Sequence, residues 1–264
     1  MSSVFPYMPS IGALMGYGMR TLAQPASTAH TPSPSEAPAT QADIAKALES
    51  ALGDQPAAKS SARFSSVSIT LNNGIGLDID NAARLLSPPP ATGPATSLRG
   101  VEIINSATAK TTGEHHGLVS SGLAPVWLEN YGSIVGKKDT GLKLGGDRND
   151  EVVNAGLIAG GNGMALDMGG GDDVLIVRHG GRFEGAVDGG SGTNQVILDD
   201  PRGGTFDGAT RMQHLWVVSG TWTLTGEMAA NQQGKVYSGA TLINKSKIGG
   251  SMEVEPGATY STVE

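Results

Sequence analysis

Carboxylates are the residues with the clearest chemical potential. Asp167, Asp172, Asp173 and Asp188 lie in one glycine-rich stretch. Two carboxylates that flank a glycosidic bond at about 5 to 10 Å can hydrolyse it. Equivalent corners of adjacent repeats could offer that spacing. Enzymes acting on acidic polysaccharide also need a cation for the developing anion, and only Arg178 and Arg182 are near. Aspartates at glycine-rich turns more commonly bond their own backbone, so turn formation is the favoured reading.

Calcium is the second chemistry. The nonapeptide GGxGxDxUx binds Ca²⁺ between coils through Asp carboxylates and turn carbonyls. Residues 189–197 read GGSGTNQVI, with Asn194 where the ligand Asp belongs. Residues 145–153 read GGDRNDEVV, with Asp150 in place and the second glycine lost, and 169–177 read GGGDDVLIV, with its carboxylates one position early. Asp150, Asp172, Asp173 and Asp188 are therefore the candidate metal ligands. Their motifs do not recur every nine residues, as a calcium roll requires, and structural turns are again favoured.

The remaining groups carry less. His115 and His116 are adjacent, so on a strand they face opposite sides and cannot chelate one ion. His179 and His214 are expected to be structural or exposed, and Lys137 and Lys138 form a small basic turn. No serine sits in G-x-S-x-G. The 0 cysteines exclude disulfides, thiolate metal sites and a cysteine nucleophile. No catalytic residue and no cofactor is assigned.

These residues are carried on an internal repeat. Asn130–Gly136 (NYGSIVG) and Asn154–Gly160 (NAGLIAG) are its clearest copies. His179–Gly185 (HGGRFEG) keeps the pattern with His for Asn, and an upstream relative begins at Asn105. Their starts are 25, 24 and 25 residues apart, and a late variant at Asn244 is out of register. Each copy leads into short alternating runs, such as GLKLGG at 141–146 and AVDGGSGTNQVILDD at 186–200. Three short strands per repeat fit one coil of a parallel β-helix, stacked on its neighbour at about 4.8 Å. Eight or so coils from residue 65 would make a rod of roughly 40 Å.

That arrangement assigns structural roles. Ile134, Ile158 and Phe183 should stack inside, with Leu144, Leu166 and Met168 on another inner face. Asn130 and Asn154 should hydrogen-bond from coil to coil at a corner. Gly132, Gly156 and Gly181 are expected to supply turns with positive φ. Trp216 and Trp222, six apart, should share a face of one strand and cap the solenoid, whose last coil would otherwise expose an edge.

Composition agrees. The chain has 264 residues and 39 glycines, with aromatic residues at 5% and charged residues at 16%. Such a balance suits a turn-rich β-protein better than an enzyme core of large side chains. Residues 1–100 hold 11 of the 14 prolines but only 8 glycines. Residues 24–42 are almost entirely Pro, Ala, Ser and Thr and read as disordered linker. Ile44, Leu48 and Leu52 mark a short helix over 43–52. The sequence thus divides into a leader (1–62), β-helix repeats (63–209) and a C-terminal cap (210–264). Residues 3–19 are mildly apolar but lack a basic start, a weak export signal. No apolar run is long enough for a transmembrane helix. A net charge of −7 with no Lys/Arg run argues against nucleic acid as a partner.

The motifs Asn154–Gly160, Asp167–Leu175 and Gly185–Leu198 resemble the passenger region of bacterial type V autotransporters, the pertactin-like β-helices. The segments His214–Gly226, Val236–Leu242 and Val254–Thr259 are similar to the autochaperone region that precedes the membrane barrel in that family. The resemblance covers about 101–264 and implies an all-β, right-handed parallel β-helix behind a disordered leader. It also implies a non-enzymatic passenger, secreted or displayed at the outer membrane of a Gram-negative cell, that adheres to a host surface protein or glycan. The translocator barrel would then be separate or missing. A polysaccharide-active β-helix enzyme and a calcium-binding repeat protein are the rival expectations.

Overall fold

The computed structural model describes Ser66–Leu71, Gly74–Ile75 and Leu77–Asp78 by their backbone, and residues 100–227, 232–247 and 249–263 in full. The linker, the expected helix over 43–52 and the signal-like start lie outside the described residues.

The chain folds as the parallel β-solenoid expected from the repeat, and every strand pairing is parallel. Nine strands form the first sheet, in chain order: Ser66–Leu71, Gly100–Asn105, Val126–Asn130, Glu151–Asn154, Val174–Val177, Gln195–Asp199, His214–Ser219, Gln233–Val236 and Ser251–Val254. On the early coils a second sheet adds two further strand positions. The 11-residue strand Leu157–Asp167 spans both, pairing with Ser133–Gly136 and Leu142–Lys143 on one side and Arg182–Asp188 on the other. On the late coils these give way to one four-stranded sheet: Gly204–Phe206, Thr221–Leu224, Thr241–Asn244 and Thr259–Thr262.

The coil length is therefore not constant. Register in the first sheet gives steps of 25 (Val101 to Val126), 24 (Trp127 to Glu151), 23 (Glu151 to Val174), 21 (Val174 to Gln195), 19 (Gln195 to His214), 19 again (His214 to Gln233) and 18 (Gln233 to Ser251). Three strands per coil give way to two between Asp188 and Gly204, ahead of the division expected at 209, and the first sheet crosses that boundary unbroken.

The core is a set of columns. Ile103, Leu128, Val152, Leu175, Val196 and Leu215 stack along the first sheet and are buried. The next position, Gly234, lends its empty side-chain space to Met252, whose terminal carbon lies 2.3 Å from where a Cβ would sit. Ile134 and Ile158 stack in full burial with Phe183 partly buried beside them, and Leu144, Leu166 and Met168 are buried too.

Two expectations about geometry are corrected. Gly132, Gly156 and Gly181 do not have positive φ. They are glycines because coils touch there: a Cβ would sit 2.4 Å from the Ala109 carbonyl oxygen, 2.1 Å from that of Gly132 and 2.4 Å from that of Asn154, respectively. Trp216 and Trp222 do not share a strand. Gly220, with φ of 77°, turns the chain between them. Trp216 faces outward from the first sheet, while Trp222 is fully buried in the four-stranded one and donates its indole N–H to the Ser219 carbonyl at 2.8 Å. Two further coils follow, so Trp222 is core rather than an end cap.

Candidate functional site

Two side-chain ladders occupy the corners flanking the first sheet. In the first, the Asn105 amide donates to Asn130 Oδ1 at 2.7 Å and the Asn130 amide to Asn154 Oδ1 at 2.8 Å. The same amides reach the carbonyls of Ser133, Leu157 and Arg182, and all three asparagines are fully buried. Thr111 Oγ1 closes the upper end by donating to Asn105 Oδ1. The ladder stops where Val177 pairs with Asn154. His179, which takes the Asn place in the repeat motif, sits two residues farther on, in an extra turn, and its Nδ1–H donates to the Gly203 carbonyl, 2.8 Å away.

The second ladder takes up two of the candidate calcium ligands, Asp150 and Asp173. Asp150 Oδ1 accepts the Val126 N–H at 2.7 Å, and Asp173 Oδ1 accepts the Asp150 N–H at 2.7 Å. Asn194 Oδ1 accepts the Asp173 N–H at 2.9 Å, and Gln213 Oε1 accepts that of Asn194 at 2.6 Å. Each side chain thus holds the backbone of the preceding coil. Asn194 also donates to the carbonyls of Gly189 and Arg211. Asp173 has no such amide: its Oδ2 is buried without a partner, and burial pushes its pKa up to about 7.

The other acidic candidates are scattered. Asp167 accepts the Gly169 N–H and Asp172 that of Thr193. Asp188 accepts the Gly190 N–H and forms a bidentate ion pair with Arg211, a non-glycine residue at φ of 54°. Among the described residues no three His, Asp or Glu side chains converge to hold a metal ion. His115 is exposed and meets Asp139 at 2.9 Å, whereas the Nδ1 of half-buried His116 has no partner. Lys137 and Lys138 both clasp Glu114.

The structure does gather one set of polar and aromatic side chains that the motifs did not flag. Trp127, Glu129 and Glu151 point outward from adjacent strands of the first sheet, Tyr131 follows the strand Val126–Asn130, and Arg178 follows the next strand beyond, Val174–Val177. Tyr131 Oη donates to Glu129 Oε2 at 2.9 Å, and burial followed by that bond raises its pKa to about 12. Glu151 is held above the usual carboxylate range, first by burial and then by the Glu129 charge, with Arg178 opposing. The signal lay in the residues just before each repeat Asn: once 102, 127 and 151 are stacked, Trp127 falls between two glutamates.

A second aromatic group lies farther along the same face. Trp216 packs edge-on against Tyr237 with centroids 6.4 Å apart, and Lys235 stands 5.0 Å from the Tyr237 ring between Glu253 and Glu255. Among the described residues no helix is long and apolar enough to cross a membrane, which does not bear on membrane strands. Compared with known proteins, the chain matches no protein family, no curated protein and no solved structure.

Proposed function

We propose that the chain is a non-enzymatic passenger of the autotransporter type, a solenoid scaffold exported to or beyond the surface of a Gram-negative cell, where its outward face adheres to a host molecule. One observation carries this reading: the carboxylates that could have been catalytic or metal-binding are spent on holding backbone. Asp150 and Asp173 each accept an amide of the preceding coil, and Asp167, Asp172 and Asp188 accept turn amides. Side chains so engaged give a rigid rod and leave recognition to the outward residues. The late two-stranded coils, with Trp222 and Phe206 buried among leucines, suit the autochaperone role that the resemblance implies.

Purified protein should bind epithelial cells saturably and release no reducing or unsaturated sugar from pectin, alginate or hyaluronan. Sugar release that D167N or D188N abolishes would overturn the scaffold reading and install an enzyme.

A further inference from the structure

On its outward side the first sheet carries an aromatic ring seated over a glycine. Trp127 stands opposite Glu102 in the register, and its six-membered ring leans along the sheet over Gly100. A Cβ at Gly100 would lie 1.8 Å from the nearest ring carbon. Any other residue at 100 would displace the indole, so glycine there sets its orientation. Gly100 itself is buried beneath the ring, yet Trp127 remains 39% exposed. A large, rigid side chain already fixed in place loses little entropy when a ligand lands on it.

The surroundings define the ligand. Glu102, Glu129 and Glu151 surround the indole on the same face, with the Tyr131 phenol bonded to Glu129 and one cation, Arg178, at the corner. Carboxylates are acceptors only, a phenol both gives and accepts, and guanidinium donates. A pyranose ring matches this set, since its C–H face is apolar and its rim carries hydroxyls that donate and accept. Three carboxylates against one guanidinium disfavour a uronate or sulfated sugar. The geometry points to a binding site for a neutral hexopyranose glycan, stacked on Trp127 and held at its hydroxyls by Glu102, Glu129, Tyr131, Glu151 and Arg178. This deepens the adhesion reading and rests on it for the glycan's place on a host surface; the binding itself is a property of the isolated protein.

The test is calorimetric titration of the full chain with cellohexaose, maltohexaose and chitohexaose, with oligogalacturonate as the anionic counterpart. At least one neutral hexaose should bind, and oligogalacturonate should not. W127A should weaken that binding at least about tenfold and W127F by only about threefold. W216A should leave it unchanged, and melting curves would verify that each variant is folded. No heat with any neutral hexaose at about 10 mM, or W127A binding as the parent does, would overturn the site. If W127A protein still adheres to cells while no hexaose binds, the glycan inference falls and the adhesion reading stands. If a neutral hexaose binds but the parent protein does not adhere to cells, the glycan site stands and the adhesion reading falls.

Discussion

The early and late coils solve the same stacking problem with different chemistry. Through Asn154 the inner corner of the first sheet is polar, and Asn105, Asn130 and Asn154 hand hydrogen bonds from coil to coil. From Val177 onward the same column reads Val177, Leu198, Val217, Val236 and Val254. The switch falls where the coil has shortened from 25 to 23 residues, one coil before the third strand is lost between Asp188 and Gly204. A wide, three-sided coil carries a corner whose buried backbone groups need partners, and amide side chains supply them. A flattened two-strand coil has less interior, which Phe206, Trp222, Leu224 and Leu242 fill directly. Order comes from directed hydrogen bonds in one half and from packing in the other.

The contrast is sharpest at Trp222. Its truncation to alanine empties the middle of the late coils and should cost about 4 kcal/mol. Urea unfolding of W222A should show that loss, with the late coils opening before the early ones. In the early half, N130A removes an acceptor from buried Asn105 and donors from buried Asn154 and from the part-buried Leu157 carbonyl. Unpartnered groups of that kind cost about 1–3 kcal/mol each, and we expect about 3 kcal/mol in total. A loss below 1 kcal/mol in the same titration would mean that the asparagine ladder contributes little.

Asp173 sharpens the comparison through pH. Its folded pKa of about 7 stands above the ordinary 3.8, so the folded state binds the proton more tightly than the unfolded one. That stabilisation is complete below about pH 4 and is lost as pH rises through about 7. Asparagine at the same place in the next coil donates to two carbonyls. D173N should therefore stabilise the protein by about 2 kcal/mol at pH 8 and change little at pH 4, read as melting temperatures at both.

The smallest effect is expected at the turn that opens the late half. Arg202 grips Asp200 with a bidentate bond and holds its carboxyl down at about 2. The stabilisation is present above about pH 4 and is lost as pH falls toward 2. Because the Arg202 side chain is 68% exposed, R202A should lower the melting temperature at pH 7 only slightly. Melting temperatures of parent and variant should differ at pH 7 and draw together at pH 2.5.

The sequence pattern revealed the early half far better than the late one. The N-x-G-x-I-x-G repeat makes the solenoid and its Asn column legible, because each coil there repeats the same residue types at nearly the same spacing. The late coils repeat a hydrophobic column with no signature residue, and their steps of 19 and 18 hide from a search tuned to 24 or 25. Trp216 and Trp222 read as one strand only when the Ser219-Gly220 turn signal between them is passed over. Gly132, Gly156 and Gly181 were recognised as obligatory but for the wrong reason: the limit is a carbonyl on the neighbouring coil, visible only after stacking. Asp150 and Asp173 fit a calcium motif in the sequence because ladder and calcium loop use the same residue types at glycine-rich turns. The Trp127 site escaped notice because its members come from different coils.

The account turns on that last distinction, that the corner carboxylates bond backbone rather than metal. Its most direct test is thermal melting of the full chain, followed by far-UV circular dichroism, with excess EDTA and with excess calcium. The account predicts the same melting temperature in both. A fall of several degrees in EDTA that calcium restores would contradict it and give the Asp150–Asp173 corner to calcium.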